Sequence, residues 1–236
     1  MVPKYKRILL KLSGEGLAGP DKTGIDGNVV NKLAAEIAKV YRLNVQICLV
    51  IGGGNFFRGA KNATADMDRS IADQIGMMAT VINALAMKSA LDNLGCPTVV
   101  YSGLSIPQVC KDYNFSNAFQ SLKDNHIVIF AGGTGCPYFT TDSGAALRAS
   151  EMHCDILMKA TQVDGVYDKD PRYNPDAVRY ETISYSVVLK QHLNVMDMTS
   201  IALAQDSGLP IMVFAQSAEN SIVEAVCGLV KCTIVK

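Results

Sequence analysis

Short apolar, β-branched runs recur along the chain and alternate with stretches of helical spacing. Residues 7–12 (Arg-Ile-Leu-Leu-Lys-Leu), 45–51, 98–101, 127–131, 155–160 and 211–214 each read as a strand. They are almost continuously apolar, as strands buried on both faces are. Between them, Ile71, Ile75, Met78, Ile82 and Leu85 recur at alternating steps of four and three, which predicts a long helix with a buried stripe. Residues 31–42 and 143–151 predict two further helices. Met77, Met78 and Met87 read as core filling. Strands alternating with helices predict an α/β fold whose mostly parallel sheet is covered on both faces. Pro171 and Pro175 mark an irregular loop, read as the start of a C-terminal half that carries a second ligand.

Composition narrows the function classes. Of the 236 residues, 49% are hydrophobic and 19% charged, which excludes a disordered chain. Lys+Arg and Asp+Glu each number 22, so no broad attraction to nucleic acid or an anionic membrane is expected. Aromatics make up 7%, with no Trp, and offer no base-stacking platform. The seven Cys form no CxxC pair and suit reduced cytosolic thiols better than a disulfide framework or zinc site. The apolar run that follows Lys4, Lys6 and Arg7 stops at Lys11, too short for a signal peptide. No other stretch reads as a membrane span, so a cytoplasmic protein is expected.

Candidate chemistry lies at the strand ends, where open α/β sheets bind ligands. Three glycine-containing loops fall there: Ser13-Gly14 after the first strand, Gly52-Gly53-Gly54-Asn55 after the second, and Gly132-Gly133-Thr134-Gly135 after the fourth. Glycine tolerates positive φ and lets phosphate oxygens approach backbone N–H groups. A helix is expected to begin at Thr141 or Asp142, one of which would cap it. Lys11 and Lys159 each close an apolar strand and read as phosphate contacts, with Asp142 holding them. No GxxxxGK[ST] loop, helix-opening GxGxxG, HRD, DFG or GxSxG motif occurs. His126, His153 and His192 read as structural or surface residues. These features point to transfer of a phosphoryl group from a nucleoside triphosphate.

At these residues the chain resembles the bacterial uridylate kinases of the amino acid kinase superfamily, over essentially its whole length. The resemblance rests on residues 5–15, on Val50-Ile51-Gly52-Gly53-Gly54-Asn55 with Phe57-Arg58-Gly59, and on Gly133-Thr134-Gly135 with residues 137–142. Lys159-Ala160-Thr161, Val163-Asp164-Gly165-Val166 and Val195-Met196-Asp197 extend it. It implies a three-layer αβα sandwich, the amino acid kinase fold, as a single domain over 1–236. The acceptor site would lie mainly in the N-terminal part and the ATP site mainly from about residue 155 onward. It implies ATP and UMP as substrates, Mg²⁺ as cofactor held by nucleotide phosphates rather than by protein ligands, and a homohexamer. UTP as inhibitor and GTP as activator are implied as well.

On matched positions, Lys11, Leu12, Ser13, Gly14, Gly54 and Arg58 would border the ATP phosphates. Thr161, Tyr167 and Asp170 would surround the adenosine. Gly53, Asp73, Thr134, Gly135, Cys136, Pro137, Tyr138, Phe139, Thr140 and Thr141 would contact UMP, with Asp73 accepting from the ribose hydroxyls. Lys11, Lys159 and Asp142 would be catalytic. Members of that family usually carry Asn where this chain has Cys136, which predicts a weaker side-chain contact to the nucleotide by roughly 0.5–1.5 kcal/mol. Two other readings share these residues. A kinase of the same superfamily acting on a carboxylate, carbamate or isoprenoid phosphate would use the same Lys11 start. A non-catalytic nucleotide binder would use the same scaffold.

Overall fold

A computed structural model describes residues 1–57, 66–193, 195–216 and 219–236. Nine described strands form one sheet: β1 (Arg7–Leu12), β2 (Gln46–Ile51), β3 (Thr98–Ser102), β4 (Lys111–Asp112), β5 (Ile127–Ala131), β6 (Ile156–Thr161), β7 (Thr182–Ile183), β8 (Ile211–Ala215) and β9 (Cys232–Val235). Their order is β4-β3-β5-β2-β1-β6-β8-β9-β7. Every described pair is parallel except β8 with β9. The sheet is thus mostly parallel, and the carboxyl ends of β1, β2, β5 and β6 open along one edge.

Helices cover both faces. On one side lie α1 (Gly27–Tyr41), α2 (Arg69–Asn93) and α7 (Ser221–Val226). On the other lie α3 (Phe115–Lys123), α4 (Thr141–Glu151), α5 (Tyr185–Lys190) and α6 (Met198–Ser207). Two separate apolar clusters fill the spaces between sheet and helices, which makes the three layers of an αβα sandwich. Successive residues of a strand point to opposite faces. Ile8, Leu10 and Leu12 accordingly pack in the α1–α2 cluster, while Leu9 packs against the α4 side. The same alternation sends Ile156 and Met158 one way and Leu157 the other. Lys11 shares the parity of Leu9, and Lys159 that of Leu157, so both lysines rise on the face that α4 covers.

Two expectations from the sequence need correction. The stripe of α2 read as buried is exposed: Ile71 by 50%, Ile75 by 38%, Met78 by 44% and Ile82 by 45%; Leu85 is partly buried. Val81, Ala84, Met87 and Leu91 face the core instead, and Met77 is buried. Both sets repeat at helical spacing, and periodicity alone does not say which apolar face packs. Of the three methionines read as core filling, Met78 therefore lies outside. The 25-residue α2 is also the one described helix long and apolar enough to cross a bilayer, although the sequence reading found no such stretch. Its inner face lies in the protein core.

Helix starts also shift. Helix α1 begins at Gly27, not at residue 31, because the Asp26 carboxylate accepts from the Asn28 and Val29 N–H groups at 2.8 and 3.3 Å.

Candidate active site

The β1–β6 ladder sets the centre of the site. Lys11 and Lys159 are direct partners in its register, as Leu9 and Leu157 are two rungs earlier on the same face. Two ammonium groups therefore leave adjacent strands side by side. Asp142, in the first turn of α4, stands between them. Its Oδ1 lies 2.9 Å from Lys11 Nζ, and its Oδ2 accepts from Lys159 Nζ at 2.8 Å. Lys159 Nζ also donates to the Val195 carbonyl at 2.7 Å. Burial raises the pKa of the Asp142 carboxyl, but Lys11 and Lys159 outweigh it and hold the group below its ordinary value. For Lys159 burial dominates: against the pull of Asp142, and with Lys11 adding to it, its pKa falls below the ordinary lysine value.

Helix α4 owes its position to a hydroxyl and carboxylate relay. The Thr140 hydroxyl caps the helix, accepting from the Asp142 and Ser143 N–H groups at 3.0 and 3.4 Å. The cap is thus Thr140, not Thr141 or Asp142 as the sequence suggested. The same hydroxyl donates to Asp197 Oδ2 at 2.5 Å, and the Ser143 hydroxyl donates to Asp197 at 2.9 Å. Asp197 in turn caps α6, accepting from the Ser200 N–H at 2.9 Å. One carboxylate thereby joins two helix starts. It sits two residues beyond the carbonyl that receives Lys159.

The glycine turns close on one another. A Cβ at Gly14 would collide with the Gly52 carbonyl, and one at Gly53 would come within 2.6 Å of the Gly76 carbonyl in α2. A Cβ at Gly52 would lie 3.7 Å from Thr141 Oγ1, so the first and second turns and the start of α4 are neighbours. Beneath them, the buried amides of Asn55 and Asn83 exchange hydrogen bonds at 3.0 and 2.7 Å. Asn83 Nδ2 also donates to the Gly52 carbonyl at 2.7 Å. The third turn has Gly132, Gly133 and Gly135 at φ of 69°, 56° and 81°, where other residues are strained. It is tied to α2 because the Gly132 N–H donates to the Thr80 hydroxyl at 2.8 Å.

A cavity of about 1530 Å³ opens beside the lysines. Lys11, Ser13, Lys159, Thr161, Tyr167 and Asp170 are among its walls, drawn from both halves of the chain. Leu12 is buried under α1 and offers only backbone: its carbonyl accepts from the Gly52 N–H at 3.0 Å. Gly14 and Gly54 do not line the cavity. Arg58 lies outside the described residues. Of the three histidines, His192 lines the cavity and His153 packs edge-on against Phe119.

Residues 133–141 run outside that cavity, from the end of β5 to α4. Asp73 of α2 holds this strip, its Oδ2 accepting from the Tyr138 N–H at 2.8 Å. Tyr138 has a φ of 71°, and the Arg69 guanidinium lies 4.6 Å from its ring centre. The Thr134 hydroxyl accepts from the Cys136 N–H at 3.2 Å. Cys136, Tyr138 and Phe139 are exposed. The sequence reading singled out neither Thr80 nor Asn83. Both are polar positions on the otherwise apolar buried face of α2, and that interruption is the signal that marks them.

Paired ammonium groups bridged by one carboxylate, under glycine turns and beside a large cavity, define a phosphotransferase-type site. The profile of the Amino acid kinase family matches residues 6–215, and the chain belongs to that family. It is 51% identical over 227 residues to a uridylate kinase of Erythrobacter litoralis, covering 96% of this chain and 95% of that one. A uridylate kinase of Xanthomonas oryzae pv. oryzae is 52% identical over 224 residues, 95% and 93% of the two chains. The crystal structure of UMP kinase from Ureaplasma parvum superposes with a TM-score of 0.94 at 40% identity, covering 99% of each chain.

Proposed function

We propose that this chain is a uridylate kinase that transfers the γ-phosphoryl group of ATP to UMP, giving ADP and UDP. The observation that carries this reading is the pair Lys11 and Lys159 on one rung of the sheet, bridged by Asp142. An oxygen of the UMP phosphate attacks the γ-phosphorus, and the bond to the β,γ-bridging oxygen breaks as ADP leaves. Charge on the transferring group is neutralised by the two ammonium groups, which Asp142 keeps apart and aimed. No general base is needed, because the acceptor phosphate is already ionised at neutral pH. The large cavity takes ATP, with Thr161, Tyr167 and Asp170 at its adenosine end and Lys11 and Ser13 at its phosphates.

The acceptor UMP lies along residues 134–141, with Gly53 beneath it and Asp73 turned to its ribose. Asp73 exchanges the Tyr138 N–H for ribose hydroxyls as UMP enters. Among the described residues no three His, Cys, Asp or Glu side chains converge as a cation site. Both Asp142 oxygens face ammonium groups, so the donor set suits Mg²⁺ carried on the nucleotide phosphates. Bound there, Mg²⁺ supplies further charge neutralisation. The enzyme acts in the cytoplasm, in pyrimidine nucleotide biosynthesis, as a homohexamer inhibited by UTP and activated by GTP. The exposed apolar stripe of α2 supports self-association.

A coupled assay with ATP and Mg²⁺ over UMP, CMP, aspartate and glutamate derivatives tests the assignment, repeated with GTP or UTP added. Turnover with UMP well above the others is expected. Turnover of an amino acid with none of UMP rejects it in favour of another kinase of the family.

A further inference from the structure

One wall of the large cavity is a segment that leaves β6 at Gln162 and rejoins regular structure at β7. Its outer part, residues 167–172, lines the cavity. Its two legs pair at their base: Tyr167 bridges Arg179, the Tyr180 N–H donates to the Val166 carbonyl at 2.9 Å, and the Asp168 N–H to the Val178 carbonyl at 3.1 Å. Such a two-legged excursion is weak on its own, because an isolated pair of short strands has little to hold it.

What holds it comes from the far end of the chain. Thr233 of β9 is fully buried, a polar residue in a strand that closes the apolar core. Its hydroxyl accepts from the Val166 N–H at 2.8 Å and donates to the Tyr180 carbonyl. One hydroxyl therefore ties both legs, one residue before and one after the Tyr167–Arg179 bridge. Gly165 makes the approach possible, since a side chain there would collide with Thr233 Oγ1. Residues beside Thr233 reinforce the attachment. The Cys232 carbonyl accepts from the Arg179 guanidinium. Lys231 Nζ lies 3.3 Å from Asp164 Oδ2, and Asp164 Oδ1 accepts from the Tyr167 hydroxyl at 2.6 Å.

We propose that Thr233 is a positioning residue for the phosphoryl donor: its buried hydroxyl clasps both legs of the 162–181 segment and so fixes Tyr167 and Asp170 on the nucleotide. The proposal rests on the cavity being the ATP site. The clasp bonds to no residue of the acceptor strip and to neither lysine, and strand β8 stands between Thr233 and Lys159. Its loss therefore acts on donor binding and spares the chemical step.

Steady-state kinetics of Thr233→Val, Thr233→Ser and Asp170→Ala test it. Valine keeps the shape and removes both hydrogen bonds, while serine keeps the hydroxyl. Thr233→Val is expected to raise KM for ATP by about two- to twelvefold, the span of one net hydrogen bond. KM for UMP and kcat at saturating ATP should stay within about twofold, the pattern of lost uniform binding. Thr233→Ser should return KM for ATP to the parent value. If Thr233→Val lowers the melting temperature but leaves KM for ATP unchanged while Asp170→Ala raises it, the clasp is structural only and the proposal fails. Should neither variant move KM for ATP, the cavity is not the donor site and both readings fall. If the valine variant does not fold, Thr233→Cys, whose thiol bonds only weakly, carries the same expectations.

Discussion

Lys159 carries its charge where charge is expensive. It is partly buried beside a second ammonium, and one carboxylate serves both. Its pKa lies below the ordinary lysine value of 10.5, so it loses its proton at lower pH than a free lysine does. The charged form is the one that neutralises the phosphoryl group, so activity must fall as pH rises through that lowered pKa. The pH profile of kcat/KM for ATP, which reports the free enzyme, should show an alkaline limb below pH 10.5. Lys159→Arg cannot lose its charge in this range and should move the limb upward, whatever its absolute rate. A limb at the same pH in both proteins would assign it to another group. Both lysines were legible in the sequence because each interrupts an apolar strand near its carboxyl end, where a charge has no structural reason to be. Asp197 was not legible as a link. Its neighbours Thr140 and Ser143 lie more than fifty residues away in sequence, and nothing local reports that two helix starts meet.

At the scale of elements, the six apolar runs became strands with ends within a residue or so, since uninterrupted β-branched runs leave little choice in a parallel sheet. The short strands β4, β7 and β9 went unread. A two-residue strand such as β4 carries no periodicity, and Cys232–Val235 is too brief to separate from a helix end. Helix α2 shows the opposite difficulty, too much signal rather than too little. Its inner face packs on the sheet and supplies Thr80 and Asn83 to the glycine turns. Its outer face leaves Ile71, Ile75, Met78 and Ile82 in water, a continuous apolar row that a monomer gains nothing by exposing. In the proposed self-association a second copy of the chain would cover it. Sedimentation velocity should find the parent protein associated and an Ile75→Glu/Ile82→Glu variant in smaller species, because charged groups would be desolvated in the contact. A variant that sediments like the parent would place the contact elsewhere.

Across the whole molecule, zero net charge leaves anion recognition to one rim of the sheet. The parallel topology gathers the carboxyl ends of β1, β2, β5 and β6 there, and the β1–β6 register makes neighbours of two lysines 148 residues apart. Register is a property of the assembled sheet, so this pairing could be expected from the sequence only through resemblance. The central claim is that these ammonium groups act on the transferring phosphoryl group rather than on ATP affinity. Comparing kcat with the ATP dissociation constant in Lys159→Met tests it most directly. In Lys159→Met kcat should fall on the order of 10²–10³-fold, as for loss of a main transition-state donor, with a much smaller change in ATP affinity. Equal losses in both, or turnover at the parent rate, would contradict it.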